Sequence, residues 1–177
     1  MKYIAHRGLF EGPDKEKENR PEQILTALQK GYDCEVDVWL IKKEWWLGHD
    51  APQYKVESSF IGQQGLWIHC KNLDALYELS GLPFKYVYFW HQEDDFTLTS
   101  NEVIWTYPGK HLTNNSVAVM PERCPSYWKH VKTLNLVGVC TDYVEKFISE
   151  TCAVPVRASQ KSISSKKIYT EKSTGSV

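Results

Sequence analysis

The chain has 177 residues, a formal net charge of −1 and 24% charged residues, with 7 Trp, 10 Tyr and 6 Phe. That length supports one domain with a sizeable core, and the lack of a clustered Lys/Arg footprint excludes nucleic acid as an expected partner, because a phosphate backbone is bound through such a cluster. No apolar run approaches the roughly 18 residues of a membrane span, so no stable membrane insertion is expected.

The N-terminus enters a strand-like run at Tyr3 with no apolar leader before it, which points to a soluble, cytoplasmic protein. That first run, "YIAHR", ends in His6, Arg7 and Gly8. "PEQILTALQKG" (21–31) reads as a helix, with Pro21 in its first turn, Ile24, Leu25 and Leu28 on one side, and Gly31 as terminator. "CEVDVWL" (34–40) and "EWWLGH" (44–49) are strands, and "IKKE" between them reads as a hairpin turn. "LWIHCK" (66–71) is a further strand, followed by a helix in "NLDALYELSG" with Asn72 as N-cap and Gly81 as stop. "KYVYFWH", "EVIWTY", "SVAVM" and "VGVCTD" follow as strands, with short helices in "SYWKHVK" and "YVEKFISE". The alternation predicts an α/β fold with a parallel sheet, a reduced TIM-type (β/α) barrel whose missing or shortened helices fall mostly in the C-terminal half. Residues 158–177 are rich in Ser, Thr and Lys and read as a disordered polar tail, which leaves residues 1–157 for the barrel. The five cysteines contain no CxxC pair, and Cys34, Cys70 and Cys140 lie in strand runs as small buried hydrophobes.

Side chains alternate along a strand. In "CEVDVWL" one face carries Cys34, Val36, Val38 and Leu40, and the other Glu35, Asp37 and Trp39. In a barrel the apolar face meets the helices and the two carboxylates point inward. They repel each other there unless a cation sits between them, and a hard divalent ion with oxygen ligands fits that demand. In "LWIHCK", Trp67, His69 and Lys71 share the polar face. His6, Arg7, His49, Lys71, His91 and Asp142 all fall near the C-terminal ends of apolar runs, which in a barrel form the mouth of the active site. Two histidines able to exchange protons near neutrality, two cations and a metal suit an anionic substrate, above all phosphoryl chemistry.

"AHRG", "RPEQILTALQKG", "EVDVWL" and "LGHD", in that order, resemble the glycerophosphodiester phosphodiesterase family, whose pattern runs HRG, PEN, E-x-D, HD; "IHCK" and "GVCTD" look like its later strands. The resemblance implies a TIM barrel and metal-dependent hydrolysis of a small-molecule phosphodiester that links glycerol to an alcohol. It implies His6 and His49 as the acid/base pair, Arg7 and Lys71 on the phosphate, Glu22 as a support that orients Arg7, and Glu35 with Asp37 as ligands of Mg²⁺ or Ca²⁺. His69 stands where the family has its third metal carboxylate, and Gln23 stands where it has Asn. Sphingomyelinase D-like and phosphatidylinositol phospholipase C-like enzymes are similar in fold and are not separated from this reading by the sequence. A barrel that binds a phosphate or sugar phosphate without turnover is the alternative of a different class. His111 and His130 are expected on the surface.

Overall fold

The computed structural model describes residues 1–82 and 85–152; the expected domain end at 157 and the tail at 158–177 lie outside the described residues. In chain order the elements are β1 (Lys2–His6), α1 (Pro21–Gln29), β2 (Asp33–Ile41), β3 (Glu44–Leu47), β4 (Tyr54–Val56), α2 (Ser58–Ile61), β5 (Leu66–Cys70) and α3 (Leu73–Ser80). Then come β6 (Val87–Phe89), β7 (Phe96–Leu98), β8 (Ile104–Thr106), β9 (Ser116–Val119), a 3-10 turn (Pro121–Arg123), α4 (Pro125–Val131), β10 (Gly138–Thr141) and α5 (Val144–Cys152).

Among the described residues, seven strands run parallel in the order β6-β5-β2-β1-β10-β9-β8 and curl into a reduced TIM-type barrel. The expected loss of helices is found on one arc, since no helix lies between β6 and β9. In its place β7 pairs antiparallel with β8. β6 and β8 share no ladder; the segment between them closes the seam through Thr97, whose hydroxyl donates to Trp90 O at 2.8 Å, and above all through Ser100. Ser100 N–H donates to Tyr88 O at 2.9 Å, its Oγ accepts from Tyr88 N–H at 3.0 Å, and that hydroxyl donates to Tyr86 O at 2.8 Å. The sequence reading missed two short strands, β4 and β7. Each has three residues, too few for a period-two pattern to register.

Period-two alternation sorts the core into layers. Cys34, Val36, Val38 and Leu40 of β2 and Leu66, Ile68 and Cys70 of β5 pack outward on Ile24 and Ala27 of α1 and Ala75 and Leu79 of α3. Inside the barrel, Ile4, Trp67, Phe89, Trp105, Val117 and Cys140 form a second cluster. The register is strongly determined, because a one-residue slip of β2 would drive Glu35 and Asp37 into the apolar helix interface. Asn72 caps α3 as expected, with Oδ1 accepting from Ala75 N–H at 3.2 Å. The same side chain bonds both backbone groups of Leu40, which ties α3 to the end of β2. Cys34, Cys70 and Cys140 are buried, His111 and His130 are exposed, and none of the five cysteines is in a disulfide. Among the described residues no helix is long and apolar enough to cross a membrane.

Candidate active site

Polar residues occupy the C-terminal ends of the strands, above the apolar plug inside the barrel. His6 ends β1, Glu35 and Asp37 lie on β2, and His69 lies on β5. The ladders set His6 beside Glu35 and Asp37 beside His69. His49 follows β3, Lys71 follows β5 and His91 follows β6. All of them, with Arg7, line one cavity of about 650 Å³.

The glycines of two motif segments meet backbone demands. Gly8 has φ +82°, and a Cβ there would crowd the Ile24 backbone and side chain at 3.1–3.3 Å. Gly48, before His49, has φ +144° and would collide with Ala51 O. Only a residue without a side chain lets both turns close.

His6 is clamped from behind. Its Nδ1–H donates to Asp142 Oδ1 at 2.8 Å, and its Nε2 lies 3.9 Å from Glu35 Oε2. Burial disfavours its charged form, but the bond to Asp142 and the Glu35 charge outweigh that, so its pKa lies above the usual 6.5. Asp142 is in turn fixed by Glu122, whose Oε1 accepts from Asp142 N–H at 2.9 Å and from the Thr141 hydroxyl at 2.8 Å.

Glu35 and Asp37 are buried. Burial and the neighbouring Asp37 push the Glu35 carboxyl up, partly offset by His6, His69 and Arg7. Burial also penalises ionised Asp37, yet His69, Arg7 and Lys71 together hold it well below the usual carboxylate range. Asp37 Oδ2 accepts from Asn19 Nδ2 at 2.9 Å and lies 3.2 Å from Arg7 Nε. Asp37 Oδ1 is 3.5 Å from Lys71 Nζ and 3.0 Å from His69 Nδ1, but it is buried with no hydrogen bond. His69 donates from Nε2 to His91 O at 2.9 Å and stacks on Phe89 at 5.2 Å. A carbonyl oxygen only accepts, so Nε2 carries a hydrogen and the ring's other nitrogen, Nδ1, faces the two carboxylates. Glu35 Oε1 stands 3.8 Å from that nitrogen. Donor atoms of Glu35, Asp37 and His69 all lie within 4.8 Å of one another, and the orphaned Asp37 Oδ1 fits a cation held among them.

Arg7 sits in the left-handed region, φ 52°, at the turn that ends β1. Its backbone N–H donates to Glu35 Oε2 at 3.2 Å and its Nη1 to Glu18 Oε2 at 2.6 Å. Burial opposes its charge, but Asp37, Glu35 and Glu18 outweigh that and raise its pKa. Here one expectation is corrected. Glu22 does not orient Arg7; it lies exposed in the first turn of α1, which begins at Pro21 and turns that side chain to solvent. Glu18 makes the contact instead, from the loop that returns to Arg7 and delivers Asn19 N–H to Arg7 O at 3.0 Å. Asn19 was also missed. It is buried, holds φ 57°, and brackets Asp37 by donating to its carboxylate and accepting from its N–H at 2.9 Å. The signal was in the sequence: the Glu-Asn pair of the PEN pattern stands at Glu18–Asn19, without its proline, four residues before the Glu22–Gln23 of the matched "PEQ". Gln23 Nε2 bonds Gly8 O at 3.0 Å and pins the turn.

His49 reaches the cavity wall but is 38% exposed at its side chain, and its ring partner is the 93% exposed Asp50 at 2.6 Å. It is the least constrained of the expected residues. His91, half-buried, has an Nδ1 with no partner, and burial together with His69 lowers its pKa.

No protein-family model matches this chain, and no curated protein matches it. Among solved structures, the crystal structure of a "putative glycerophosphodiester phosphodiesterase" from Galdieria sulphuraria is similar, with a TM-score of 0.53 and 12% identity, covering 85% of this chain and 97% of that one. At that identity the likeness is one of fold, and the chain has a glycerophosphodiester phosphodiesterase-like barrel.

Proposed function

We propose that the chain is a phosphodiesterase that hydrolyses a glycerophosphodiester or a related phosphorylated alcohol, with His6 and His49 exchanging protons beside a divalent cation held by Glu35, Asp37 and His69. The observation that carries this reading is the setting of His6. It is locked by Asp142 through Nδ1, so Nε2 is left for proton transfer, next to a buried cluster of two carboxylates and an imidazole with an unsatisfied oxygen. Phosphate binding alone needs cations and no such arrangement.

A cation held by Glu35, Asp37 and His69 would supply charge neutralisation to the phosphoryl group. The chain's own groups supply the rest. Arg7 donates Nη1 to Glu18 and sets Nε 3.2 Å from Asp37 Oδ2 without a hydrogen bond, and these two contacts orient the guanidinium and leave Nη2 for a phosphate oxygen. Lys71 adds a second fixed charge. One histidine takes the proton from a glycerol hydroxyl as its oxygen bonds to phosphorus. The other gives a proton to the alcohol oxygen as its bond to phosphorus breaks. The cyclic phosphate that remains opens with water by the reverse proton movements.

The test is hydrolysis of bis(p-nitrophenyl) phosphate and of glycerophosphocholine with added divalent metals or with EDTA, beside His6→Ala and Glu35→Ala. Turnover that EDTA and both variants abolish supports the reading. Turnover indifferent to His6→Ala overturns it. A folded chain that turns over neither compound but binds inorganic phosphate favours the phosphate-binding alternative.

A further inference from the structure

We propose that the Glu35–Asp37–His69 centre selects a nitrogen-preferring transition metal of the Zn²⁺ or Co²⁺ kind over the Mg²⁺ or Ca²⁺ that the motif resemblance implies. The inference rests on reading this cluster as a metal centre and goes on to name its occupant.

Three observations carry it. The first is the third donor. His69 brings an imidazole nitrogen where an all-oxygen set would serve a hard cation, and imidazole suits zinc, cobalt and copper better than magnesium or calcium. The second is that this nitrogen is prepared for a metal. His69 Nε2–H is spent on His91 O at 2.9 Å, and the ring lies flat on Phe89, 6° from parallel. Metal-bound histidines are oriented in this way by a carbonyl behind the ring, which fixes the tautomer and raises the basicity of the free nitrogen. Nδ1 and Asp37 Oδ1 stand 3.0 Å apart without the alignment of a hydrogen bond, so a ring nitrogen and a buried, unsatisfied oxygen converge on the same space.

The third observation is the charge around the cluster. Glu35 and Asp37 are opposed by Arg7, 3.2 Å from Asp37 Oδ2, and by Lys71, 3.5 Å from Oδ1. Arg7, itself paired with Glu18, and Lys71 offset part of the charge of the two carboxylates, which weakens the hold on a hard ion bound mainly by charge. A metal that gains from a directed bond to nitrogen loses less by that cancellation. Three protein donors also leave coordination positions for water and a phosphate oxygen.

Titration of the full chain with Co²⁺, read by its visible ligand-field absorption, tests the proposal without any activity assay. The expected result is a saturable band that Zn²⁺ abolishes and that millimolar Mg²⁺ or Ca²⁺ leaves in place. His69→Ala should weaken Co²⁺ binding on the order of tenfold or more. His69→Glu should reverse the order, with Ca²⁺ or Mg²⁺ then displacing Co²⁺. Displacement of Co²⁺ from the wild-type chain by Mg²⁺ or Ca²⁺ at matching concentrations overturns the selectivity and leaves the metal-dependent reading standing. A band that survives His69→Ala, or one with thiolate charge-transfer character from exposed Cys152, also overturns it. Absence of binding by any divalent cation to the folded chain overturns both this proposal and the metal part of the proposed function.

Discussion

Glu18 and Glu22 stand four residues apart, and only Glu18 touches the site. Its bond to Arg7 Nη1, with Asp37 at Nε, decides where the guanidinium points. Glu18→Gln should therefore lower kcat/KM about 10–100-fold by loosening the phosphate grip, the scale expected when a positioned group drifts. Glu22→Gln should leave the rate unchanged; equal losses in the two variants would remove Glu18 from its positioning role. Glu122 gives a second prediction at this scale. Burial raises its pKa above 4.5, an effect its hydrogen bonds only partly offset, and its Oε2 is buried without a partner. Below 4.5 the folded and unfolded states both keep the proton. As pH rises the unfolded chain releases it first, so the fold loses stability until its own carboxyl ionises, and it stays lower above that point. Glu122→Gln keeps an acceptor oxygen for Thr141 and Asp142 but does not titrate. The unfolding free energy of E122Q minus that of wild type, from urea titrations, should grow as pH rises above 4.5 and then level off. A difference that stays flat with pH would mean that the buried carboxylate carries no ionisation cost.

At the scale of the element, the sequence carried the strands that build the site but not the loop that completes it. β2 and β5 were legible because alternation over five to nine residues leaves one wholly apolar face, and burial of that face on α1 and α3 is what sets Glu35, Asp37 and His69 inward. The loop from Arg7 to Arg20 has no period to read. Its placement of Glu18 and Asn19 depends on contacts across the chain to Arg7 and Asp37, which no local pattern records. Asp142 was visible as a strand-end residue but not as the partner of His6, since the pairing spans 136 positions. The hairpin between β2 and β3 was legible, yet its residues suit the turn poorly. Lys42 and Lys43 both hold positive φ, 51° and 68°, the backbone of a type I′ turn that favours Asn-Gly. The double replacement Lys42→Asn/Lys43→Gly should stabilise the chain by roughly 0.5–1 kcal/mol, because left-handed backbone is costly for a residue with a Cβ. Chemical denaturation checks it; an unchanged midpoint would mean that the two lysines make compensating contacts.

For the whole molecule, the barrel divides into a stiff half and a weak seam, and the candidate site sits on the stiff half. β2 has nine residues and pairs with β1, β3 and β5, while β1 is held between β2 and β10. Helices α1, α3 and α5 back this side, and it bears His6, Glu35, Asp37, His69 and Asp142. The opposite arc runs through β6 and β8, three residues each, with α3 touching β6 alone, no helix between β6 and β9, and Ser100 and Thr97 bonding across to the β6 segment. That arc supplies Phe89, His91, Trp105 and Tyr107 to the cavity wall. Protein regions with few backing contacts open well below the global unfolding free energy. Amide hydrogen exchange should therefore be faster at Tyr88 and Trp105 than at Ile4, Val36, Ile68 and Cys140, with the second group exchanging only through global unfolding. Ser100→Ala strips the seam of two hydrogen bonds and should lower stability by about 1–2 kcal/mol. It should also speed exchange at Tyr88 further and leave Val36 tracking the global value. If Tyr88 and Val36 instead exchange together in both chains, the barrel opens as one unit, and Ser100 joins two halves of equal strength. Opening in that order would let one wall of the cavity move while His6 and the carboxylates keep their spacing.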